Sequence, residues 1–168
     1  MKSKSKAQKG AKNMEKTNVM RLLDAHGVEY REYSYVGTDA ISGTDVAAVL
    51  GQDQAQVFKT LVTRGKSGAN YVFVIPVVEE LDLKKAAKAA GEKSVEMVKS
   101  KELLPLTGYI HGGCSPIGMK KFFPTFFDQT AEAADPVIFS AGKIGYQVEV
   151  SLSGLAKIID FKLADLTV

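Results

Sequence analysis

The segment HGGCSPIGMKK, residues 111–121, contains the only cysteine of the chain and one of its two histidines. Cys114 and His111 are the residue types of a nucleophile and its general base. A catalytic thiolate needs that base within hydrogen-bond reach and a lowered pKa, and closeness in sequence supplies neither. Because such pairs are usually assembled from distant segments, the sequence favours Cys114 as a small, semi-buried side chain in a turn.

The glycines of the same segment suggest a different chemistry. An open loop of this kind can aim backbone N–H groups at a carbonyl oxygen or a phosphate, although ordinary tight turns have the same composition. The residues that make up this open loop are Gly112, Gly113, Ser115, Pro116 and Gly118. A second small-residue loop, SAGKIG at 140–145, lacks the GxxxxGK[ST] spacing, so it does not predict nucleotide hydrolysis.

Lys59 interrupts the apolar run VFKTLV between Phe58 and Leu61. Simple strand alternation would place it on the solvated face, whereas an ammonium that points into a pocket would bind ester oxygens or a phosphate. The pattern leaves both interpretations open. Lys120 and Lys121 pose the same choice between a solvated pair and a contact with a phosphate backbone.

Composition limits the possible classes of protein. The 168 residues suit one domain, and 45% apolar with 24% charged residues is an ordinary globular balance. One cysteine forms no internal disulfide, and the two separated histidines give no metal spacing, so we expect neither metal nor cofactor. With no apolar run near the ~20 residues of a membrane span, a cytoplasmic protein is the default expectation.

The charge is unevenly distributed along the chain. Residues 1–16 hold six lysines and one glutamate, whereas residues 17–168 hold 16 basic and 18 acidic residues, a sum of −2. We therefore predict that residues 1–16 form a disordered basic tail and that the domain is 17–168. The alternative role for this tail is an electrostatic arm for RNA phosphates.

The remaining elements are those that must position these residues. Helices are predicted for TNVMRLLDAHG, SGTDVAAVLG, LDLKKAAKAAG and LSGLAKII, with a helical turn at KELLPLTG weakened by Pro105. VFKTLVTRG and NYVFVIPVV read as a hairpin, and YREYSYV, TFFD, PVIFSAG and YQVEVS as further strands. Strands outnumber helices, so the fold class is α+β in a single domain.

Several motifs in one order carry a resemblance. VFKTLV, LDLKKAAKAAG, TGYIHGGCSPIGMKK and SAGKIG together resemble the bacterial YbaK/EbsC family of Cys-tRNA(Pro) deacylases, from about residue 18 to the end. The resemblance implies a curved, mixed, barrel-like sheet flanked by helices, the fold shared with the editing domain of bacterial prolyl-tRNA synthetase. It also implies no cofactor.

The resemblance assigns roles to residues. Lys59 is the expected catalytic lysine that holds the terminal adenosine or the ester end of the substrate. Gly112 is the expected catalytic loop glycine, whose backbone faces the scissile carbonyl together with that of Gly113. The substrate-binding residues that the resemblance implies are Tyr35, Thr60, Gly113, Ser115, Pro116, Gly118, Ser140 and Gly142.

The activity implied by the resemblance is trans-editing. Cysteine is removed from mischarged Cys-tRNA(Pro), and also from Cys-tRNA(Cys), when the substrate's own thiol attacks its ester carbonyl. Cys114 would then be a passive filler, because the family commonly has an apolar residue there. The implied partners are the mischarged tRNA and prolyl-tRNA synthetase in a transient ternary complex, with no membrane and no DNA.

Three positions depart from the family pattern. Ser42 replaces an aromatic residue, Ile144 an arginine and Gln147 an acid, which affects amino-acid selectivity and the grip on the tRNA end. One alternative function is therefore an Ala-tRNA(Pro) or broader aminoacyl-tRNA deacylase. Another is a non-catalytic module that binds tRNA or the synthetase.

Overall fold

The computed structural model describes residues 16–168, and within them six α-helices and eight β-strands form an α+β domain. The predicted basic tail lies outside the described residues except for Lys16, whose ammonium is 2.5 Å from the Asp24 carboxylate. The helices are α1 Asn18–Ala25, α2 Gly43–Leu50, α3 Leu83–Ala90, α4 Ser100–Thr107, α5 Ala131–Ala134 and α6 Leu152–Leu155. The strands are β1 Arg31–Ser34, β2 Phe58–Gly65, β3 Asn70–Pro76, β4 Val95–Met97, β5 Thr125–Asp128, β6 Val137–Ser140, β7 Tyr146–Val150 and β8 Lys162–Ala164.

The strands form two open sheets. The larger has the order β4-β2-β3-β5-β8, in which β2 and β3 are the predicted antiparallel hairpin and β5 runs parallel to both β3 and β8. The smaller is the antiparallel sheet β1-β7-β6. The expected mixed α+β fold is confirmed, but the barrel-like closure is not, because each sheet of the described residues ends in two edge strands that no ladder joins.

Helix ends follow the capping residues in the sequence. The Ser42 hydroxyl accepts from the backbone N–H of Asp45, whose carboxylate in turn accepts from the Ser42 backbone, so a capping box begins α2. Asp82 caps α3 by accepting from two backbone N–H groups of its first turn. Gly51 and Gly91 end these two helices in the left-handed conformation that glycine adopts without strain.

One hydrophobic core spans both sheets. Residues of β2, β3 and β5 pack with residues of β6 and β7 and with Met20 and Leu23 of α1 in a single buried cluster. The opposite face of β3 contributes Phe73 and Ile75 to a second cluster beneath α3. Both faces of β3 are therefore covered, which explains why its sequence is an almost unbroken apolar run.

Two helices differ in extent from the sequence prediction. α4 continues through Pro105 to Thr107, because the side chains of Leu103 and Thr107 are buried and Glu102 accepts from the backbone of Lys99 at its start. α6 covers only Leu152–Leu155 and continues as turns. No helix in residues 16–168 combines the length and the apolar character needed to cross a membrane.

Candidate functional site

A cavity of about 350 Å³ opens beside the first half of β2. The loop between β1 and α2 forms one wall, the turn at 111–114 a second, and the adjoining ends of β6 and β7 a third. Apolar side chains such as Val57 and Leu103 contribute to the lining. Its main polar side chains are Tyr35, Lys59, Thr60, His111, Ser140 and Gln147.

The residues predicted to form the site divide into two groups. One group lines the cavity, and it consists of Tyr35, Lys59, Thr60, Gly112 and Ser140. The other lies outside the lining, and it consists of Gly113, Ser115, Pro116, Gly118 and Gly142. The first group comes from four separate segments, so the tertiary fold brings together residues that only the resemblance had connected.

Lys59 lies on the strand that crosses the pocket. It pairs with Ile75 across the hairpin, and its half-buried side chain lines the cavity while that of Phe58 is buried in the core. Within residues 16–168 its ammonium has no carboxylate partner and no hydrogen bond. The structure therefore places Lys59 in the pocket and not on the solvated face of the strand. Its ammonium remains available to an anionic or carbonyl group of a ligand.

Thr60 supplies a second unused polar group. Its Oγ1 is buried and has no hydrogen-bond partner among the described residues. Buried hydroxyls in proteins are nearly always paired, so one beside a cavity is a candidate to bond a molecule in that cavity.

Gly112 and Gly113 are not equivalent. Gly112 has φ +89°, a left-handed conformation that favours glycine, and its N–H has no acceptor among residues 16–168. The N–H of Gly113 donates to the carbonyl of Ile110 at 2.9 Å. Of these two amides, that of Gly112 is therefore the one without an acceptor, and the predicted roles of both glycines towards the scissile carbonyl stay predictions.

Gly118 and Gly142 accommodate Tyr109. A Cβ on Gly118 would be 2.8 Å from the Tyr109 hydroxyl oxygen, and one on Gly142 would be 2.9 Å from Cε1 of the same ring. The ring is buried between the two loops, and its hydroxyl donates to the carbonyl of Ile117 at 2.5 Å. Burial raises the pKa of Tyr109 to about 12, so the hydroxyl stays protonated and remains a donor.

Ser115 and Pro116 lie beneath the loop surface. Both are buried, and the Ser115 hydroxyl accepts from the backbone N–H of Ile117 at 3.4 Å. Ser140 lines the pocket, but its hydroxyl also accepts from the N–H of Gly142 at 3.0 Å. These hydroxyls therefore shape the two loops.

Cys114 lines the cavity as a protonated thiol. Burial raises its pKa to about 12, the opposite of what a nucleophile requires. His111 is exposed, and no hydrogen bond joins it to Cys114 in the part of the chain that the structure describes. Residues 16–168 also contain no cluster of three or more potential metal ligands.

Gln52 is a contributor that sequence reasoning missed. Its Nε2 donates at 2.8 Å to Oε1 of Gln147, which is buried and lines the pocket. The sequence signal for this pair is limited to Gln147, a glutamine within the strand YQVEV. Gln52 follows Gly51, the glycine that ends α2, and is 95 residues away from Gln147 along the chain, so no local pattern connects the two.

Comparisons with known proteins point to one family. The sequence pattern of the aminoacyl-tRNA editing domain matches residues 39–158. The chain is 46% identical over 157 residues to the proposed Cys-tRNA(Pro)/Cys-tRNA(Cys) deacylase EbsC of Enterococcus faecalis strain ATCC 700802 / V583, a match that covers 93% of this chain and 96% of that protein.

Solved structures share the fold at lower identity. A proposed trans-editing enzyme for prolyl-tRNA synthetase superimposes with a TM-score of 0.76 at 24% identity, covering 89% of this chain and 94% of that one. The hypothetical protein APE2540 gives a TM-score of 0.80 at 24% identity, with coverage of 89% and 99%. Together with the matched sequence pattern and the extent of the identity, these similarities show that the chain belongs to the aminoacyl-tRNA editing domain family.

Proposed function

We propose that this chain is a trans-editing deacylase that removes cysteine from mischarged Cys-tRNA(Pro), and also from Cys-tRNA(Cys). The observation that carries the proposal is the composition of the pocket, which combines an unpaired ammonium and a free loop amide with no activated nucleophile. Such a site suits a substrate that brings its own nucleophile. The family and the name of the relative EbsC support the same substrate class.

The proposed reaction uses the thiol of the esterified cysteine. Its sulfur attacks the ester carbonyl, the new C–S bond closes a strained cyclic thioester, and the C–O bond to the tRNA ribose breaks. The ribose oxygen leaves and takes up the proton lost by the thiol. Water then opens the thioester to free cysteine. Holding the reacting atoms together supplies much of the acceleration, so the protein needs no base of its own.

Lys59 and Gly112 are the proposed catalytic residues. The Lys59 ammonium binds the ester end or the terminal adenosine, and the Gly112 N–H donates to the developing oxyanion. Tyr35, Thr60 and Ser140 are proposed to contact the substrate from the other walls. For Gly118 and Gly142 the contacts with Tyr109 favour support of the loops over contact with the substrate.

Positive charge is concentrated in one segment that contributes residues to the pocket. Residues 99–122 hold four lysines and one glutamate, a sum of +3, although residues 17–168 together carry −2. This segment contains α4 and the glycine loop and contributes Leu103 and His111 to the lining. We propose that the phosphates at the 3′ end of the tRNA lie along it. Prolyl-tRNA synthetase in a transient ternary complex, in the cytoplasm where tRNA is charged, is the proposed source of the substrate.

The test is deacylation of purified Cys-tRNA(Pro), with Ala-tRNA(Pro) alongside. We expect release of cysteine and little release of alanine. Lys59→Ala should reduce the rate by a factor on the order of 100, because it removes the only unpaired cation that lines the pocket within the described residues. Lys66→Ala, an exposed lysine in the turn of the same hairpin, is the matched control and should leave the rate unchanged.

Three results would contradict the proposal. Faster release of alanine would favour the broader deacylase. Binding of tRNA without release of either amino acid would favour a non-catalytic module. Full activity in Lys59→Ala would exclude the assigned role of the lysine.

A further inference from the structure

The pocket is lined by basic side chains and by no carboxylate of the described residues. Lys59 and His111 are part of the lining, and no aspartate or glutamate of residues 16–168 is. The carboxylates within two residues of Thr44, Leu103 and Gln147 of the lining are used elsewhere. That of Asp45 closes the capping box of α2, that of Glu102 accepts from the backbone of Lys99 and from Arg64, and that of Glu149 accepts the Tyr33 hydroxyl at 2.7 Å. An α-ammonium group bound in this pocket would therefore find no carboxylate to pair with.

Gln147 is the only buried hydroxyl- or amide-bearing residue of the lining within residues 16–168. It is 6% exposed, lies on β7 beside Ser140 of β6, and contributes to the lining. Its amide oxygen accepts from Gln52 at 2.8 Å, and the backbone N–H of Gln52 is anchored to the carbonyl of Ala47 at 2.9 Å. The hydrogen bond from the anchored Gln52 therefore fixes the position of the Gln147 side chain.

The bond to Gln52 uses only one end of the Gln147 amide. The Nε2 end makes no hydrogen bond with the described residues and remains for a molecule in the pocket. If both amides were turned over, the same bond would run from Gln147 to Gln52 and leave the oxygen end for the ligand. The Nε2 end would donate to the lone pair of a neutral α-amine, and the oxygen end would accept from an N–H of the α-nitrogen. In either orientation Gln147 offers the ligand no charge.

We infer that Gln147 is the side chain that reads the amino-acid end of the substrate, and that it offers the α-nitrogen a neutral hydrogen bond in place of an ion pair. The substrate class of this pocket is then thiol-bearing acyl esters of tRNA, with or without an α-amine. The inference rests on the proposed function and adds to it which part of cysteine is selected. The thiol is required, and the amine contributes little.

The two modes of recognition differ in magnitude. Loss of one neutral hydrogen bond changes binding by about 10-fold or less. Loss of the partner of a buried ion pair changes it by a factor on the order of 100 or more. Removal of the α-amine from the ligand therefore distinguishes them.

The experiment compares two amide-linked analogues on a tRNA(Pro) acceptor-stem minihelix, one carrying cysteine and the other 3-mercaptopropionate. The amide resists cleavage, so binding to the full chain is measured by titration calorimetry without turnover. We expect the affinity for the analogue without the amine to be lower by about 10-fold or less. A larger loss would overturn the inference, and failure of both analogues to bind would overturn the inference and the proposed function together.

Variants test the assignment to Gln147. Gln147→Glu should increase the preference for the cysteine analogue beyond that of the unchanged chain, because it supplies the missing carboxylate. Gln147→Met, of similar length and without a charge to bury, should abolish the remaining preference. An unchanged preference in both would exclude Gln147. Asp39→Asn, at an exposed loop carboxylate near the pocket, is the control, and a changed preference there would assign recognition of the amine to Asp39 and overturn the inference.

Release of cysteine from Cys-tRNA(Pro), measured separately, tests the proposed function. Cleavage with a large loss of affinity for the analogue without the amine would reject only the inference. A small loss of affinity without cleavage would reject only the deacylase.

Discussion

Gly112 and Gly142 have nearly the same backbone φ and very different surroundings. Both have φ close to +90°, and both belong to loops beside the pocket. A Cβ on Gly112 would meet Ile144 at an ordinary 3.6 Å, whereas one on Gly142 would overlap the buried ring of Tyr109 at 2.9 Å. Gly112 leaves an amide free at the pocket, and Gly142 leaves room for the ring that packs between the loops. Two glycines with the same φ, in two different loops, therefore differ in what they permit: one an open amide at the pocket, the other a buried ring.

The largest effect on stability is expected for Gly142→Ala. The substitution adds left-handed strain and an overlap with the Tyr109 ring and with Val19, which is 3.1 Å from the same Cβ. Each contribution costs about 1–3 kcal/mol, so we expect a loss of about 3 kcal/mol in the free energy of unfolding. Urea denaturation measures it, and a loss below that of Gly112→Ala would remove the distinction between the two glycines.

Tyr109→Phe is expected to cost about 2 kcal/mol, because the buried carbonyl of Ile117 loses its hydroxyl donor. This variant also distinguishes the packing of Gly118 against Tyr109 from that of Gly142. A Cβ on Gly118 would collide with the hydroxyl oxygen, and one on Gly142 with the ring carbon. In a double-mutant cycle the cost of Gly118→Ala should fall in the Tyr109→Phe background, and that of Gly142→Ala should not. Equal behaviour of the two glycines would contradict this packing.

Gly112→Ala is expected to lower stability by only about 1 kcal/mol, because the added methyl group has room and only the positive φ is penalised. Its effect on deacylation should be larger, at about 10-fold or more, since it disturbs a loop amide at the pocket that has no acceptor among residues 16–168. Stopped-flow deacylation and urea denaturation of the same sample compare the two effects. A loss of rate that is fully explained by unfolding would place Gly112 with the packing glycines.

The smallest effect is expected for Cys114→Ala, which should leave the deacylation rate within about twofold if the substrate supplies the nucleophile. The raised pKa of the thiol makes a second measurement possible. The folded thiol should resist iodoacetamide at pH 8–9, where an unfolded cysteine ionises, and should react only towards its pKa of about 12. Rapid alkylation of the folded chain at pH 8 would contradict this burial.

Local sequence signals explain much of the fold. The capping box at Ser42, the glycines after α2 and α3 and the turn between β2 and β3 fixed these elements within a residue or two. The two-sheet arrangement was not predictable in this way, because the parallel pairing of β3 with β5 and the pairing of β1 with β7 join distant segments. The expected barrel-like sheet came from the resemblance, and the short edge strands β4 and β8 leave the larger sheet open.

The same limit applies to the site. The order of motifs predicts Lys59 and Gly112 as site residues, and the structure places both in the lining of one pocket, while their catalytic roles stay predictions. The position of Gly142 depends on Tyr109, which is far from it in sequence, so no local pattern distinguishes a packing glycine from a substrate-facing one. Gln52 could not be predicted for the same reason, since its role depends on its hydrogen bond to the distant Gln147.

The burial of Cys114 has a consequence for oxidative damage. A pocket proposed to hold a cysteinyl ester brings a foreign thiol close to a thiol of the protein, a setting in which a mixed disulfide would trap the substrate. Both peroxide oxidation and disulfide exchange proceed through the thiolate. Because burial raises the pKa of Cys114 to about 12, its thiol stays protonated at neutral pH, so it should react neither with peroxide nor with the thiol of the bound substrate.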